Sequence, residues 1–153
     1  MSELILQQAI QAKIQAMSEF ADADVRINDW SALGESNENA PYVIIETADS
    51  FSSRQDSLTP NNKWDEKVTL VEKFVDWPTT LNNLQTRRQA LIDQFNTVGS
   101  ARSANGQPGV TADEIRSDGP ITPVYPAYLT DEQIAEALPI FLEQRMIFAF
   151  EEF

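Results

Sequence analysis

Apolar residues recur along the chain first at helical and then at strand spacing. At about 100° per residue, Leu6, Ala9, Ile10, Ile14, Met17 and Phe20 share one face of residues 2–20, with Gln8, Gln11, Gln15 and Glu19 opposite. This spacing predicts an amphipathic helix. Lys13 falls inside the apolar stripe, either snorkelling at its edge or held against a neighbouring subunit or a core carboxylate. Asp22 to Trp30 reads as a turn into a short strand with Val25 and Ile27 on one face, and residues 31–41 read as a loop. Tyr42 to Ala48 is the best strand, and both its faces begin apolar, as in a central strand covered on two sides.

Residues 49–64 are polar and long for a connection in a compact domain, and such segments are often functional. Alternation resumes over 65–77, with Val68, Leu70 and Phe74 against Lys67, Thr69 and Lys73, so the two strands and their connection predict a long-armed hairpin. Trp77-Pro78-Thr79 ends that strand and opens a helix over 80–98, capped by Thr79 or Thr80. Leu81, Leu84, Leu91, Ile92, Phe95 and Val98 form its apolar face, Asn82, Gln89, Asp93 and Asn96 lie opposite, Arg88 interrupts the stripe, and Gly99 ends it.

A Gly/Ser-rich loop over 99–109 leads to a modest strand at 110–117 and a Gly119-Pro120 turn. The prolines of 120–126 confine that extended segment to an edge or a loop. Thr130 and Gln133 have capping-box spacing for a short helix to Leu138. Leu142 to Phe153 closes the chain as a strand, with Met146, Phe148 and Phe150 on one face and Ile147, Ala149 and Phe153 on the other. The order predicts one α+β domain over 1–153: a mostly antiparallel sheet, two amphipathic helices packed on one face, and a long hairpin arm.

Charge narrows the function classes. Eleven basic residues face 24 acidic ones, for a net charge of −13. That balance argues against binding a phosphate backbone or an anionic membrane through the general field. It fits solubility, repulsion of DNA, or attraction of a basic partner. With no cysteine and no histidine, disulfides, thiolate sites, the commonest general base and the commonest metal ligand are all excluded. No apolar run approaches the roughly 18 residues of a membrane helix, and Met1-Ser2-Glu3-Leu4 lacks a basic leader region, so synthesis is expected in the cytoplasm.

Catalytic motifs fail on inspection. Gly99-Ser100-Ala101-Arg102-Ser103 lacks the glycine a nucleophile elbow needs, and the 99–109 loop lacks the Gly-Lys-Ser/Thr of a phosphate cradle. Asp22-Ala23-Asp24 begins like a calcium loop, but Arg26 takes the next ligand position. Carboxylate chemistry would rest on strand residues such as Glu46, Glu72 and Asp76, whose spacing forces no convergence. Trp30, Trp64 and Trp77 lie near strand ends, as core edge or interface anchors. Asp113-Glu114-Ile115-Arg116 mixes charges on a short strand that either pairs across a subunit boundary or stays locally solvated. No catalytic, cofactor or metal residue is assigned, and the expectation is a non-enzyme.

An N-terminal amphipathic helix leads into Pro41-Tyr42-Val43-Ile44-Ile45-Glu46, and a long polar loop reaches Trp64 and the strand Val68 to Trp77. A helix carries Arg87-Arg88-Gln89-Ala90-Leu91-Ile92-Asp93, followed by Gly119-Pro120-Ile121-Thr122-Pro123-Val124-Tyr125 and Arg145-Met146-Ile147-Phe148-Ala149-Phe150-Glu151-Glu152-Phe153. This order resembles the tail terminator and tail-completion (head–tail joining) proteins of long-tailed bacteriophages. The resemblance spans nearly the whole chain through short, diffuse motifs.

It implies a virion structural protein at the tail–neck junction. A homohexameric ring would cap the tail tube, stop its growth and face the neck and connector proteins, with DNA passing through the ring unbound. Ring closure needs a heterologous interface. The expected interface residues are Phe51, Arg54 and Trp64 on or beside the 49–64 arm, with Lys13, Arg88, Arg102 and Arg116 elsewhere. The competing readings are a neck or head-closure adaptor and an acidic DNA-mimic inhibitor. The mimic calls for carboxylates spaced regularly along one face, whereas these are scattered among lysines.

Overall fold

The computed structural model of the chain describes residues 3–31, 41–48, 53–55, 62–95, 112, 114–126 and 128–151. Within them, two long alternating strands, β4 (Asn62–Lys73) and β7 (Phe141–Glu151), pair antiparallel from Lys63↔Glu151 to Lys73↔Phe141 and form the spine of a seven-stranded sheet. β2 (Tyr42–Thr47) lies antiparallel on the other side of β4, and β3 (Ser53–Gln55) continues that side by pairing with Asn62–Trp64. β5 (Glu114–Ser117) and β6 (Thr122–Val124) occupy the outer side of β7. β1 (Asp24–Ile27) is the opposite edge.

The fold is α+β with a mostly antiparallel sheet, as the hydrophobic spacing predicts. The exception is β1, which runs parallel to β2 in the register Val25↔Val43 and Ile27↔Ile45. Asn28 ends β1 at φ 51°, a left-handed conformation that asparagine tolerates better than most residues. Gly119 at φ 88° makes the turn expected beside Pro120.

Register sorts the side chains into two layers. Val43, Ile45, Val68, Leu70, Met146, Phe148 and Phe150 share one face with the apolar stripes of α1 (Glu3–Gln15) and α2 (Trp77–Phe95) in a single core. Leu6, Ile10 and Ile14 come from α1, and Leu84, Leu91 and Phe95 from α2. Phe95 meets Phe148 edge-on at 5.3 Å between ring centres. Burial of side chains of this size contributes roughly 1.5–3 kcal/mol each. On the reverse face Tyr42, Val71 and Phe141 form a smaller cluster, joined by Val124 and Ile140.

Several boundaries differ from the sequence reading. Residues 2–20 divide into α1 and a short 3-10 turn at Ser18–Phe20, which still buries Met17 and Phe20 in the same core. α2 starts at Trp77 rather than 80, and its cap is Asp76: the Asp76 carboxylate accepts from the Thr79 backbone N–H at 2.8 Å. The Thr80 hydroxyl, instead of capping, accepts from the Val75 N–H at 3.0 Å. The expected end of that helix at Gly99 and the 99–109 loop lie outside the described residues. Pro123 does sit on an edge strand, and Thr130 and Gln133 do form a reciprocal capping box, on a helix α3 that spans only Asp131–Ile134.

Candidate functional site

Of the seven residues expected at an interface, the four whose side chains are described, Trp64, Lys13, Arg88 and Arg116, do not converge. Phe51 and Arg102 lie outside the described residues, and of Arg54 only its place in β3 is described. Trp64 is 7% exposed and belongs to the helix-side core. Lys13 is also buried, with its ammonium 4.7 Å from the centre of the Phe95 ring, and burial pushes its pKa down. Arg88 donates to the Ser117 hydroxyl at 3.3 Å, tying α2 to β5. Arg116 faces the reverse side of the sheet, 3.9 Å from Asp65 and 4.0 Å from Glu114, and its strand pairs with β7 of the same subunit.

The three candidate carboxylates are likewise dispersed. Glu46 lies on the reverse face, where its carboxylate accepts from the Trp30 indole N–H at 3.1 Å and meets the Lys67 ammonium at 3.5 Å. Glu72 lies on the helix face, 3.1 Å from the Arg87 guanidinium. Burial pushes the Glu72 carboxyl up more than Arg87 pulls it down. Asp76 is held below its usual range by the hydrogen bonds from Thr79. Opposite faces of one sheet separate Glu46 from Glu72, so the three carboxylates do not meet at one site. Among the described residues no cluster of three or more metal-ligating side chains is present.

The most unusual polar group is one the sequence reading passed over. Glu66 is fully buried between β4 and α1, where its carboxyl accepts from the Gln7 side-chain amide at 3.0 Å. Gln7 in turn accepts from the Asn28 amide at 3.3 Å, and the Thr47 hydroxyl hydrogen-bonds Glu3 at the same end of α1. Loss of hydration, reinforced by the nearby negative charges of Glu3 and Asp65, raises the Glu66 pKa to about 8. Glu66 is therefore mostly a neutral acid at pH 7. The period-two series Trp64, Glu66, Val68, Leu70, Glu72, Phe74 carries the signal, because it sets two glutamates on the apolar face.

Apart from these groups the described surface offers an open polar groove along α2, lined by Glu19, Asn82, Gln85, Arg88, Gln89 and Asp93. It also offers two apolar areas at opposite ends of β2. Leu4 and Ile5 are exposed beside the Thr47 end. Val75, Trp77 and Leu138 are exposed at the Tyr42 end. The sequence reading weighed Trp77 alone among these. No described helix is long and apolar enough to cross a membrane. Compared with known proteins, the chain matches no family model and no curated sequence.

Proposed function

We propose that the protein is a structural assembly subunit of a long-tailed bacteriophage, a tail terminator that closes the tail tube as a ring and joins it to the neck. The observation that carries this reading is the pair of exposed apolar areas at opposite ends of β2, Leu4 with Ile5 and Val75 with Trp77 and Leu138. A subunit that ends a tube must hold one partner below and another above. Exposed large apolar side chains at two separated places suit that task better than one concave site does. The quoted motifs support it too, since Tyr42–Glu46 lies on β2, Arg87–Asp93 on α2 and Arg145–Glu151 on β7. The proposed role involves no catalytic step, and a net charge of −13 suits a ring through which DNA passes without adhering.

Negative-stain imaging of the purified protein mixed with its cognate tube protein tests the reading. Sixfold rings, or tubes closed at one end, are the expected result. Tubes that elongate freely beside unassembled subunits would overturn it, and rings seated only on neck proteins would move the role to the neck adaptor.

A further inference from the structure

At the Tyr42 end of the sheet, two chain segments distant in sequence bring exposed apolar side chains together. The Phe74 N–H donates to the Ile140 carbonyl at 3.0 Å, which places Val75 beside the segment that carries Leu138. Val75 is 61% exposed and Leu138 66%. Trp77 is 44% exposed, with its ring centre 5.1 Å from that of Phe74. Acidic residues accompany all three. Asp76 stands between Val75 and Trp77, and the turn of α3 that leads to Leu138 carries Asp131, Glu132 and Glu136, all exposed. Lys73 is the nearest cation in sequence.

We infer that this acid-rimmed apolar end is a docking surface for a basic, apolar-faced segment of a different protein. The rim repels nucleic-acid phosphates and anionic lipid heads, so a polyanion is not the occupant. A second copy of this chain is poorly suited, because the chain carries a net charge of −13 and most of its described cations, Lys73 beside Val75 excepted, are already engaged. Arg26, Lys67, Arg87, Arg116 and Arg145 sit in ion pairs within the subunit, and Lys13 is buried over Phe95. The matching partner presents leucine-like side chains flanked by lysine or arginine. Apolar contact would supply most of the affinity, and the rim would set the sign of the accepted charge. The surface serves this purpose whether or not the protein forms rings.

The test is a fluorescence titration of the full-length protein with an amphipathic Leu/Lys helical peptide, read against the same peptide with Glu in place of Lys. Saturable binding of the Lys peptide, weakened by salt, is expected. Two variant sets address the surface: Val75→Ser with Leu138→Ser, and Asp76→Asn with Asp131→Asn and Glu132→Gln. Each should weaken binding by about tenfold. A control set of equal charge change placed elsewhere, Glu19→Gln with Glu114→Gln and Asp118→Asn, should leave it within about twofold. All of these side chains are exposed, and circular dichroism checks that each variant folds. Equal binding of the Glu peptide, equal losses in the control set, or wild-type binding by both surface sets would each overturn the inference. So would a concentration-dependent dimer that Val75→Ser with Leu138→Ser disperses, since the occupant would then be a second copy.

Discussion

The Gln7 side chain, on α1, donates its amide to the carboxyl of Glu66, on β4, at 3.0 Å, with both groups buried. One uncharged polar contact therefore fastens the first helix to the centre of the sheet. A neutral carboxyl accepts that bond at modest net gain, whereas a carboxylate in the same place would lack a compensating cation.

A pH dependence follows with a definite sign. Glu66 has a folded pKa near 8 against an ordinary 4.5, so between those values the folded state holds a proton that the unfolded state releases. Stability is greatest below pH 4.5 as far as this group is concerned, and it declines as pH rises through 8. Glu72, also raised by burial, adds in the same direction. Urea unfolding across this range should show a loss on the order of 5 kcal/mol. Glu66→Gln should flatten most of it and gain a similar amount at the alkaline end. An unchanged slope in that variant would count against a neutral Glu66.

Trp64 and Trp77 should behave in opposite ways. Trp64 is 7% exposed inside the main core, and Trp77 is 44% exposed. Trp64→Ala is expected to cost about 3–5 kcal/mol in denaturant unfolding. Trp77→Ala should cost about 1 kcal/mol or less. Similar losses for the two would mean that the ring of Trp77 is packed far more tightly than its exposure indicates.

How far the sequence carried depended on where the deciding information resides. α1, β2, β4 and β7 are legible because Leu6, Ile10 and Ile14 or Met146, Phe148 and Phe150 keep strict helical or strand spacing. The parallel pairing of β1 with β2 is not, because strand direction is set by how the chain returns rather than by local period. The Asp76 cap is not legible because Pro78 reads locally as a break ahead of the helix, although proline is well tolerated in a first helical turn. Gln7 borders the apolar stripe, so only the arrival of Glu66 and Asn28 from other elements makes it a core residue. The exposed end residues escaped for the converse reason. Val75 and Leu138 look like core residues in a local window, and only the chain path leaves them outside.

Lys13 should tolerate loss of charge and resist its reversal. Its ammonium lies over the Phe95 ring with its stem buried. Lys13→Met keeps the stem volume and is expected to stay within about 1 kcal/mol of wild type. Lys13→Glu sets an anion against the ring face and should cost roughly 3 kcal/mol. Thermal unfolding of the two variants separates these outcomes, and equal melting temperatures would contradict the placement.

The Asp76 cap gives a fourth expectation. Its carboxylate is held below the usual range by Thr79, so its contribution is present near neutrality and is lost as pH falls through that lowered value. Asp76→Ala should lower the melting temperature at neutral pH, whereas Asp76→Asn keeps an acceptor for the Thr79 N–H and should spare most of the loss. Equal destabilisation by both variants would show that charge, rather than the capping bond, is what matters there.

The side-chain amide of Gln11 donates to the backbone carbonyl of Val25 at 2.8 Å, on the edge strand β1. That carbonyl is among the groups a further strand would need, so one border of the sheet carries a built-in stop. The border formed by β5 and β6 has a different composition, with Glu114, Arg116 and Pro123 along it. The two borders are thus chemically unlike, and the molecule has a handed, directional outline. With the β1 border blocked in this way, copies are held back from joining edge to edge into one continuous sheet, whatever other surfaces they associate through.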